Sequence, residues 1–213
     1  MPDIILPLSL ASVAGYMLGS INFALIISRM TAHEDIRSHC SKNAGAANMM
    51  RIYGKKAAFL TALGDMLKAV LACLLARLIF DLFAVHPEFD PAYAAGLFVL
   101  LGHIFPVFFK FRGGKGVMSA LGIILIADPV AFLILTVIAV PVFLITRTIS
   151  LVSIISAALL PVLTWILCLL SNQEPLFPVV ITLMYAVLVI FAHRDNIGRL
   201  LRGEEKSASR KNH

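Results

Sequence analysis

The chain contains 213 residues, of which 60% are hydrophobic and 14% are charged, and its formal net charge is +6. With a mean hydropathy of +0.92, this composition excludes an ordinary water-soluble globule. No polar stretch exceeds about 30 residues, which excludes a separate soluble domain. Basic and aromatic residues do not interleave as they do in proteins that stack nucleic-acid bases, so we expect no nucleic-acid partner.

Apolar segments recur along the chain and predict an all-α membrane bundle, because a helix needs about 20 apolar residues to cross the hydrocarbon core. The first segment lacks the basic leader of a signal peptide and is predicted to remain as a membrane span. Asp128 and Pro129 interrupt a longer apolar run, and proline favours a helix boundary there. The seven segments cover residues 4–28, 57–80, 92–109, 117–127, 130–146, 149–170 and 176–192.

The distribution of charge predicts the topology. If seven helices span the membrane and the N-terminus lies outside, 16 of the 18 Lys and Arg residues fall on the cytoplasmic side, as the positive-inside rule requires. Merging the fourth and fifth segments would instead expose Arg147 and the basic C-terminus outside. The prediction is therefore a single domain over residues 1–213, a polytopic bundle of seven transmembrane helices with a cytoplasmic C-terminus. Residues 206–213 are expected to form a short, disordered basic tail.

The fourth apolar segment is short. Residues 117–127 extend only about 16 Å as a helix, about half of the ~30 Å hydrocarbon core. We therefore expect this helix to begin earlier, near Gly113. Its unpaired amides and partial positive charge would then face an anion in the preceding loop.

Three polar clusters interrupt the apolar pattern, and the predicted topology places all of them on the cytoplasmic face. They combine cationic side chains, amides and glycines, which suit a phosphate oxyanion. Each alone is also compatible with a basic loop that binds nothing, but their common face favours one phosphate-binding site that a lipid tail can reach. The clusters are residues 41–51, 110–116 and 193–199.

The glycine-rich cluster is not a Walker A loop, because position 109 lacks the first glycine and Gly116 stands where Ser or Thr would bind magnesium. Its glycines can converge backbone amides on an anion, and Lys115 adds a positive charge. In the third cluster, His193 and Asn196 share one face if the last helix continues past Ala192. His193 is either a base or hydrogen-bonding group, or an ordinary interfacial residue.

Polar residues within the apolar segments have structural and functional interpretations. Asp65 and Lys68 are predicted to form a buried ion pair, since charges at that depth occur in pairs. His103 is either a buried hydrogen-bonding residue or a substrate contact. Ser150 is predicted to cap the sixth helix, with Ser153 at the rim of the site. The three cysteines are scattered, so we expect neither a disulfide framework nor a metal site.

The ordered motifs resemble the bacterial acyl-phosphate:glycerol-3-phosphate acyltransferase family of integral membrane enzymes. The resemblance implies transfer of a fatty acyl group from acyl phosphate to the 1-hydroxyl of glycerol 3-phosphate, giving lysophosphatidic acid and inorganic phosphate. It also implies a multi-pass protein of the bacterial inner membrane, with a cytoplasmic active site and no cofactor, acyl-CoA or obligate protein partner. The matching motifs are residues 19–22, 41–51, 64–68, 102–116, 147–153 and 193–205.

The same resemblance implies roles for individual residues, with Lys115, His193 and Asn196 as the catalytic groups. The chain departs from the family pattern at Lys42, which replaces a glycine and could alter the turn, and at Ala47, which removes a hydroxyl. The expected glycerol 3-phosphate site is Ser41, Arg51, Lys115, His193 and Asn196. The expected acyl-phosphate contacts are Asn43, Gly113, Gly114 and Gly116, with support from Asn48, His103, Ser150 and Ser153.

No serine or cysteine nucleophile is apparent, and the resemblance requires none, since acyl phosphate carries a good leaving group. Positioning and charge neutralisation can carry much of the rate. Lys115 and the loop amides would stabilise the departing phosphate, while the proton of the attacking hydroxyl would pass to a substrate phosphate or to His193. The alternative function is an organic-phosphate transporter, although no polar cluster is repeated within the chain.

Overall fold

A computed structural model describes residues 4–205, and within this range the chain forms nine α-helices and no strand. Two short 3-10 turns, Ile36–Ser38 and Val107–Phe109, lie in the loops. The predicted basic tail, residues 206–213, lies outside the described range. The helices are α1 (Ile5–Gly19), α2 (Phe23–Ala32), α3 (Ala46–Leu82), α4 (Pro91–Ile104), α5 (Val117–Ala127), α6 (Pro129–Thr146), α7 (Ile149–Leu170), α8 (Leu176–Ala192) and α9 (Arg194–Leu201).

Several of these helices are long and apolar enough to cross a membrane. Five candidate spans are found among the described residues, and a sixth arises if α8 and α9 form one bent span. The first candidate joins α1 and α2 over Ile5–Ala32, whereas α5, with 11 residues, is shorter than a full span. The prediction of an all-α, multi-span membrane protein is confirmed, with five or six candidate spans where the sequence predicted seven.

The chain divides into two compact units, Met1–Ala127 and Asp128–His213. In the first unit α3 packs against α1, α2, α4 and α5, and α1 packs against α4. The last of these contacts is close, because a Cβ added at Gly19 would lie 2.3 Å from the Val99 carbonyl oxygen. In the second unit α7 packs against both α6 and α8.

The first apolar segment is broken between α1 and α2. Asn22 begins α2, and its side-chain oxygen accepts a hydrogen bond from the Leu25 amide at 3.1 Å. Carbonyls at a helix break are costly to leave unpaired in apolar surroundings. Here the buried Lys68 ammonium donates to the carbonyls of Gly19 and Ile21, at 2.9 and 2.5 Å. A cation on α3 therefore stabilises the break in its neighbour.

The long helix α3 begins at Ala46, well before the apolar segment that predicted it at residue 57. Gly54 interrupts the helix with φ 80° and ψ −171°, a conformation that glycine adopts without a steric penalty. Residues 46–53 therefore form a short helical segment that carries Asn48 and Arg51, ahead of the apolar part of α3.

The prediction that the fourth apolar helix begins near Gly113 is wrong. This helix, α5, begins at Val117, and Gly116 just before it has φ 79°. Such a left-handed residue cannot continue a right-handed helix toward the N-terminus. The glycine-rich segment is consequently a loop that leads into α5.

In the second unit the predicted boundary at Asp128 is confirmed. The Asp128 carboxylate accepts a hydrogen bond from the Ala131 amide at 3.0 Å, and Pro129 is the first residue of α6. At the other end of the unit, α8 and α9 are bent by 61° around His193. The condition under which His193 and Asn196 would share one helix face, that the last helix continues past Ala192, is therefore not met.

Candidate functional site

The loop between α2 and α3 is organised by Asn48. Its fully buried side-chain amide lies within 3.1 Å of three carbonyl oxygens, those of Ile36, His39 and Asn43. Its side-chain oxygen accepts a longer hydrogen bond, 3.4 Å, from the Ser41 amide. Asn48 was predicted to support the site, and its contacts fix the backbone of this loop.

Residues 41–45 present the other predicted groups of the first cluster. Ser41 is exposed, Asn43 is half-buried, and Ala44 is fully buried. Lys42 has φ 56°, the left-handed conformation that glycine adopts most readily, so the turn accepts a lysine at some steric cost. Arg51 lies exposed on the short helical segment that follows.

The glycine-rich loop packs directly against this first cluster. A Cβ added at Gly114 would lie 2.6 Å from the Ala44 carbonyl oxygen and 2.3 Å from the His103 Nε2 atom. At Gly113 it would lie 1.9 Å from the His103 carbonyl oxygen. Both positions therefore require glycine for close packing, and the first unit brings the first and second polar clusters together.

Two amides of the glycine-rich loop are used within the protein. The Gly113 amide donates to the Ile104 carbonyl at 3.0 Å, and the Gly114 amide donates to the His103 carbonyl at 3.1 Å. The expectation of four unpaired amides at a helix N-terminus is therefore wrong for these two. The half-buried Lys115 remains the cationic side chain that this loop contributes.

Behind the loop lies the predicted ion pair. Lys68 Nζ is 2.9 Å from Asp65 Oδ1, and the two residues are only 4% and 2% exposed, which confirms the prediction. His103 Nδ1 lies 3.0 Å from Lys68 Nζ and 3.4 Å from Ser119 Oγ. Of the two interpretations of His103, the structure supports the buried hydrogen-bonding residue.

His103 lies between the buried ion pair and the glycine-rich loop. Its Nδ1 faces both members of the pair, at 3.0 Å from Lys68 Nζ and 3.5 Å from Asp65 Oδ1. Its Nε2 is the atom that faces Gly114. Through this ring the buried ion pair contacts the glycine-rich loop.

Asp35 and Arg37 make a second contact to this loop, which no motif in the sequence indicated. The Arg37 guanidinium donates to both carboxylate oxygens of Asp35, at 2.9 and 2.7 Å. It also donates to the carbonyls of Phe109 and Arg112, at 2.9 and 2.7 Å. The hydrogen bond from Arg37 is the main reason that the pKa of Asp35 falls from its ordinary 3.8 to about 2, so the carboxylate is ionised at neutral pH.

In the second unit, the polar residues of α7 and α9 meet at Glu205. Its carboxylate accepts hydrogen bonds from Ser150 Oγ at 2.8 Å, Asn196 Nδ2 at 2.5 Å and Arg199 Nε at 2.7 Å. Burial by itself would raise the pKa of Glu205, but these hydrogen bonds outweigh it and lower the pKa. The sequence motif included Glu205 without suggesting this role.

The two serines of α7 behave differently from one another. The prediction that Ser150 caps this helix is wrong, since Thr148 is the N-cap residue and Ser150 instead donates to Glu205. Ser153 Oγ donates to the Ile149 carbonyl at 2.9 Å, a local bond within the helix. Ser150 therefore belongs to the cluster around Glu205, and Ser153 is held by its own helix.

His193 is buried at the junction of α8 and α9, only 3% exposed. Its Nδ1 lies 2.8 Å from the Val189 carbonyl oxygen. A carbonyl only accepts, so Nδ1 carries the proton and Nε2 is the basic nitrogen of the neutral ring. This tautomer suits either a general base or a hydrogen-bond acceptor.

Taken unit by unit, the predicted residues lie in polar environments that differ in chemistry. The first unit presents a serine, amide groups and cations around two loops in contact, a set suited to phosphate oxygens. The second unit presents a histidine with a defined tautomer, together with an asparagine and an arginine held by a carboxylate. Neither arrangement supplies a nucleophile of the serine–histidine kind, which agrees with chemistry by positioning and charge.

Comparison with known proteins identifies the family. A sequence model described as glycerol-3-phosphate acyltransferase matches residues 9–203. A glycerol-3-phosphate acyltransferase of Pseudomonas entomophila is 42% identical over 93% of this chain and 97% of its own length. That of Methylococcus capsulatus is 43% identical over 89% of this chain and 90% of its own length.

Solved structures agree with the sequence comparison. The crystal structure of PlsY (YgiH), an integral membrane glycerol 3-phosphate acyltransferase, in its glycerol 3-phosphate form matches with a TM-score of 0.79 and 31% identity over 94% of both chains. The lysophosphatidic acid form of PlsY matches with a TM-score of 0.76 over the same share. The chain therefore belongs to the glycerol-3-phosphate acyltransferase family and is a membrane acyltransferase.

Proposed function

We propose that this protein transfers a fatty acyl group from acyl phosphate to the 1-hydroxyl of glycerol 3-phosphate. The products are lysophosphatidic acid and inorganic phosphate, and the reaction begins phospholipid synthesis. The family to which the chain belongs is named for its acceptor, glycerol 3-phosphate. The observation that carries the rest of the proposal is a contact, at Ala44 and Gly114, between the first polar cluster and the glycine-rich loop. It brings two phosphate-compatible loops into one region of the first unit.

The donor phosphate is assigned to the glycine-rich loop and Asn43. Close packing at Gly113 and Gly114 supports a loop of fixed shape, and Lys115 supplies the charge that neutralises phosphate as it leaves. The amides of Gly113 and Gly114 already donate hydrogen bonds within the protein. We therefore assign the donor phosphate to Lys115 and Gly116 more than to a set of four loop amides. Charge stabilisation of a leaving group by one such donor is worth on the order of 10²–10³ in rate.

The acceptor is assigned to Ser41, Arg51, Lys115, His193 and Asn196. The acceptor hydroxyl attacks the acyl carbon, the bond from that carbon to the phosphate oxygen breaks, and phosphate departs with the bonding electron pair. The hydroxyl proton passes to a substrate phosphate or to Nε2 of His193. Near-normal turnover by a His193→Gln variant would exclude an essential base at this position, whereas loss of turnover would fit His193 as a base or as a binding group.

We further propose the seven-span topology with the N-terminus outside, which puts the polar clusters at the cytoplasmic face of the inner membrane. The positive-inside distribution supports this topology. In it α5, with 11 residues, is the fourth span and a short one. Single cysteines placed at positions 42 and 204 of a cysteine-free chain should react with a membrane-impermeant maleimide only in inverted vesicles. Labelling of either position in right-side-out vesicles would contradict this topology.

Purified protein in lipid vesicles, supplied with glycerol 3-phosphate and one of three donors, tests the reaction. Acyl phosphate should give equimolar lysophosphatidic acid and inorganic phosphate. Acyl-CoA and acylated acyl carrier protein should give no lysophosphatidic acid. Product only from acyl-CoA would overturn the donor assignment. Uptake of glycerol 3-phosphate into vesicles with no donor-dependent product would indicate the transporter alternative.

A further inference from the structure

Asp35 and Arg37 connect the loop after α2 to a turn 72 residues further along the chain. Arg37 spans the gap with a single planar group, whose Nε and one Nη hold the Asp35 carboxylate while the other Nη holds two carbonyl oxygens. A lysine has one ammonium on a flexible chain and cannot reproduce this fork. The pair is thus a specific connection between two segments of the first unit.

The turn that Arg37 holds has an unfavourable backbone. Lys110 and Phe111, consecutive residues that are not glycine, have φ 58° and 56°. A left-handed conformation is unfavourable for an L-residue, so two in succession persist only where surrounding contacts fix them. The carbonyls that accept from Arg37 belong to Phe109 and Arg112, the residues on either side of this strained pair.

Other contacts reinforce the same turn from the α2 side. The Arg29 guanidinium lies 5.3 Å from the centre of the Phe109 ring and 3.4 Å from Asp35 Oδ2. The Asp35 carboxylate also accepts from the Arg37 amide at 3.0 Å, which fixes the carboxylate on its own loop. The side chains that hold the turn are therefore themselves held in place by contacts with α2 and its loop.

The two loops depend unequally on this connection. The loop between α2 and α3 has its own support, because Asn48 holds three of its carbonyls and Asn22 donates to the Ala44 carbonyl at 3.3 Å. The strained turn precedes Gly113 directly and lies three residues before Lys115. Loss of Arg37 should therefore disturb the glycine-rich loop far more than the loop that carries Ser41.

We propose that Asp35 and Arg37 are positioning residues that set the conformation of the glycine-rich loop for the acyl-phosphate donor. This inference rests on the proposed function, since it assigns that loop to the donor phosphate. Neither residue is expected to touch substrate. Their effect should be larger on the use of the donor than on binding of the acceptor, because Lys115 is the one acceptor group, of the five assigned, that lies in this loop.

Steady-state kinetics of Arg37→Lys test the proposal, with Arg202→Gln as the control because Arg202 forms an exposed ion pair with Glu204 in the other unit. The value of kcat/KM for acyl phosphate should fall on the order of 10–100-fold, as small misplacements of reacting groups do. The KM for glycerol 3-phosphate should rise by a smaller factor, less than about fivefold or near 1 kcal/mol, because only Lys115 among its five assigned groups lies in this loop. Wild-type donor kinetics in Arg37→Lys, or equal increases in both KM values, would overturn the proposal.

A second variant covers the case in which Arg37→Lys folds poorly. Arg37→Ala should regain turnover of the donor when millimolar guanidinium is added, because the free ion can occupy the place of the missing side-chain guanidinium. Added ammonium should not restore this turnover. Absence of any guanidinium rescue in a folded Arg37→Ala protein counts against the proposal.

Hydrogen exchange separates this inference from the proposed function. In Arg37→Ala, peptides that cover residues 107–116 should exchange faster than in the wild type, while peptides that cover 36–48 change little. This result holds whatever the donor is. If the wild type does not use acyl phosphate, the proposed function is wrong. If exchange at residues 107–116 is the same in Arg37→Ala as in the wild type, the positioning role is wrong, whatever the donor is.

Discussion

Both units use charged groups to order polar groups, but the charges are buried in the first unit and half-buried in the second, and they act in different ways. In the first unit the Asp65–Lys68 pair lies deep in α3 and contacts helix carbonyls and His103, and neither member is assigned to substrate. In the second unit the Glu205 carboxylate accepts directly from Asn196, an assigned substrate contact. The first unit separates the residues that shape the site from those that bind, whereas the second joins the two roles. Damage should therefore affect the fold in one unit and affinity in the other.

The largest expected effect is on stability, in Lys68→Met. This change leaves the Asp65 carboxylate buried without its partner and removes the donor to the carbonyls of Gly19 and Ile21. Breaking a buried pair in this way costs about 3–5 kcal/mol. Thermal unfolding of the purified protein in detergent, followed by loss of the monodisperse peak, should show a large drop in midpoint.

Lys55→Met is the matched control, since Lys55 is an exposed lysine on the same helix and should leave the midpoint nearly unchanged. The double variant Asp65→Leu with Lys68→Met should recover part of the loss, because no unpaired charge remains, although the two carbonyls still lack a donor. If Lys68→Met unfolds at the wild-type temperature, the first unit does not depend on its buried pair.

A smaller effect, on affinity, is expected from Glu205→Gln. The change removes the charge that holds Asn196 and Arg199 while it keeps the size of the side chain. Hydrogen bonds to a charged group are worth about 1.5–3 kcal/mol, so the KM for glycerol 3-phosphate should rise about tenfold or more. The unfolding midpoint should fall less than in Lys68→Met.

The adjacent Glu204 supplies the control for this prediction. Glu204→Gln removes the same charge from an exposed position where it pairs only with Arg202 at 2.7 Å, and the KM should stay near the wild-type value. Equal KM values for the two variants would remove the distinction between the units.

The smallest effect is expected from Asp35, near the surface of the first unit. Its pKa is lowered from 3.8 to about 2, so its contribution to stability is complete above pH ~4 and is lost as the pH falls toward about 2. An Asp35→Asn variant lacks this contribution throughout. Its unfolding midpoint should lie slightly below that of the wild type at neutral pH, and the gap should close on acidification. A gap that widens as the pH falls would contradict the sign of the shift.

Much of the fold follows from the sequence because apolar length and charge act locally. The helices α6, α7 and α8 and the break at Asp128 lie close to their predicted places. The break between α1 and α2 was missed although Gly19, Ser20 and Asn22 stand there, since the compensating cation, Lys68, comes from another helix. The bend at His193 was missed because no proline or glycine marks it.

The contacts of the candidate site also divide into those that the sequence could predict and those that it could not. Ionic spacing within one helix predicted the Asp65–Lys68 pair. The residues for phosphate come from the family resemblance, and their assignment stays a prediction. Contacts from side chains to distant carbonyls were not predictable, and these include Arg37 with the turn at Phe109 and Asn48 with its loop. They depend on which backbone atoms meet across the fold, and no local pattern in the sequence records that.

Phosphate release from acyl phosphate by Lys115→Ala, compared with Lys56→Ala, tests the central claim most directly. Lys56 carries the same charge at an exposed position on α3. In folded protein, Lys115→Ala should lose on the order of 100-fold or more of the glycerol 3-phosphate-dependent release, whereas Lys56→Ala should retain it. Release at the wild-type rate by a folded Lys115→Ala protein would contradict the assignment of this lysine to the departing phosphate.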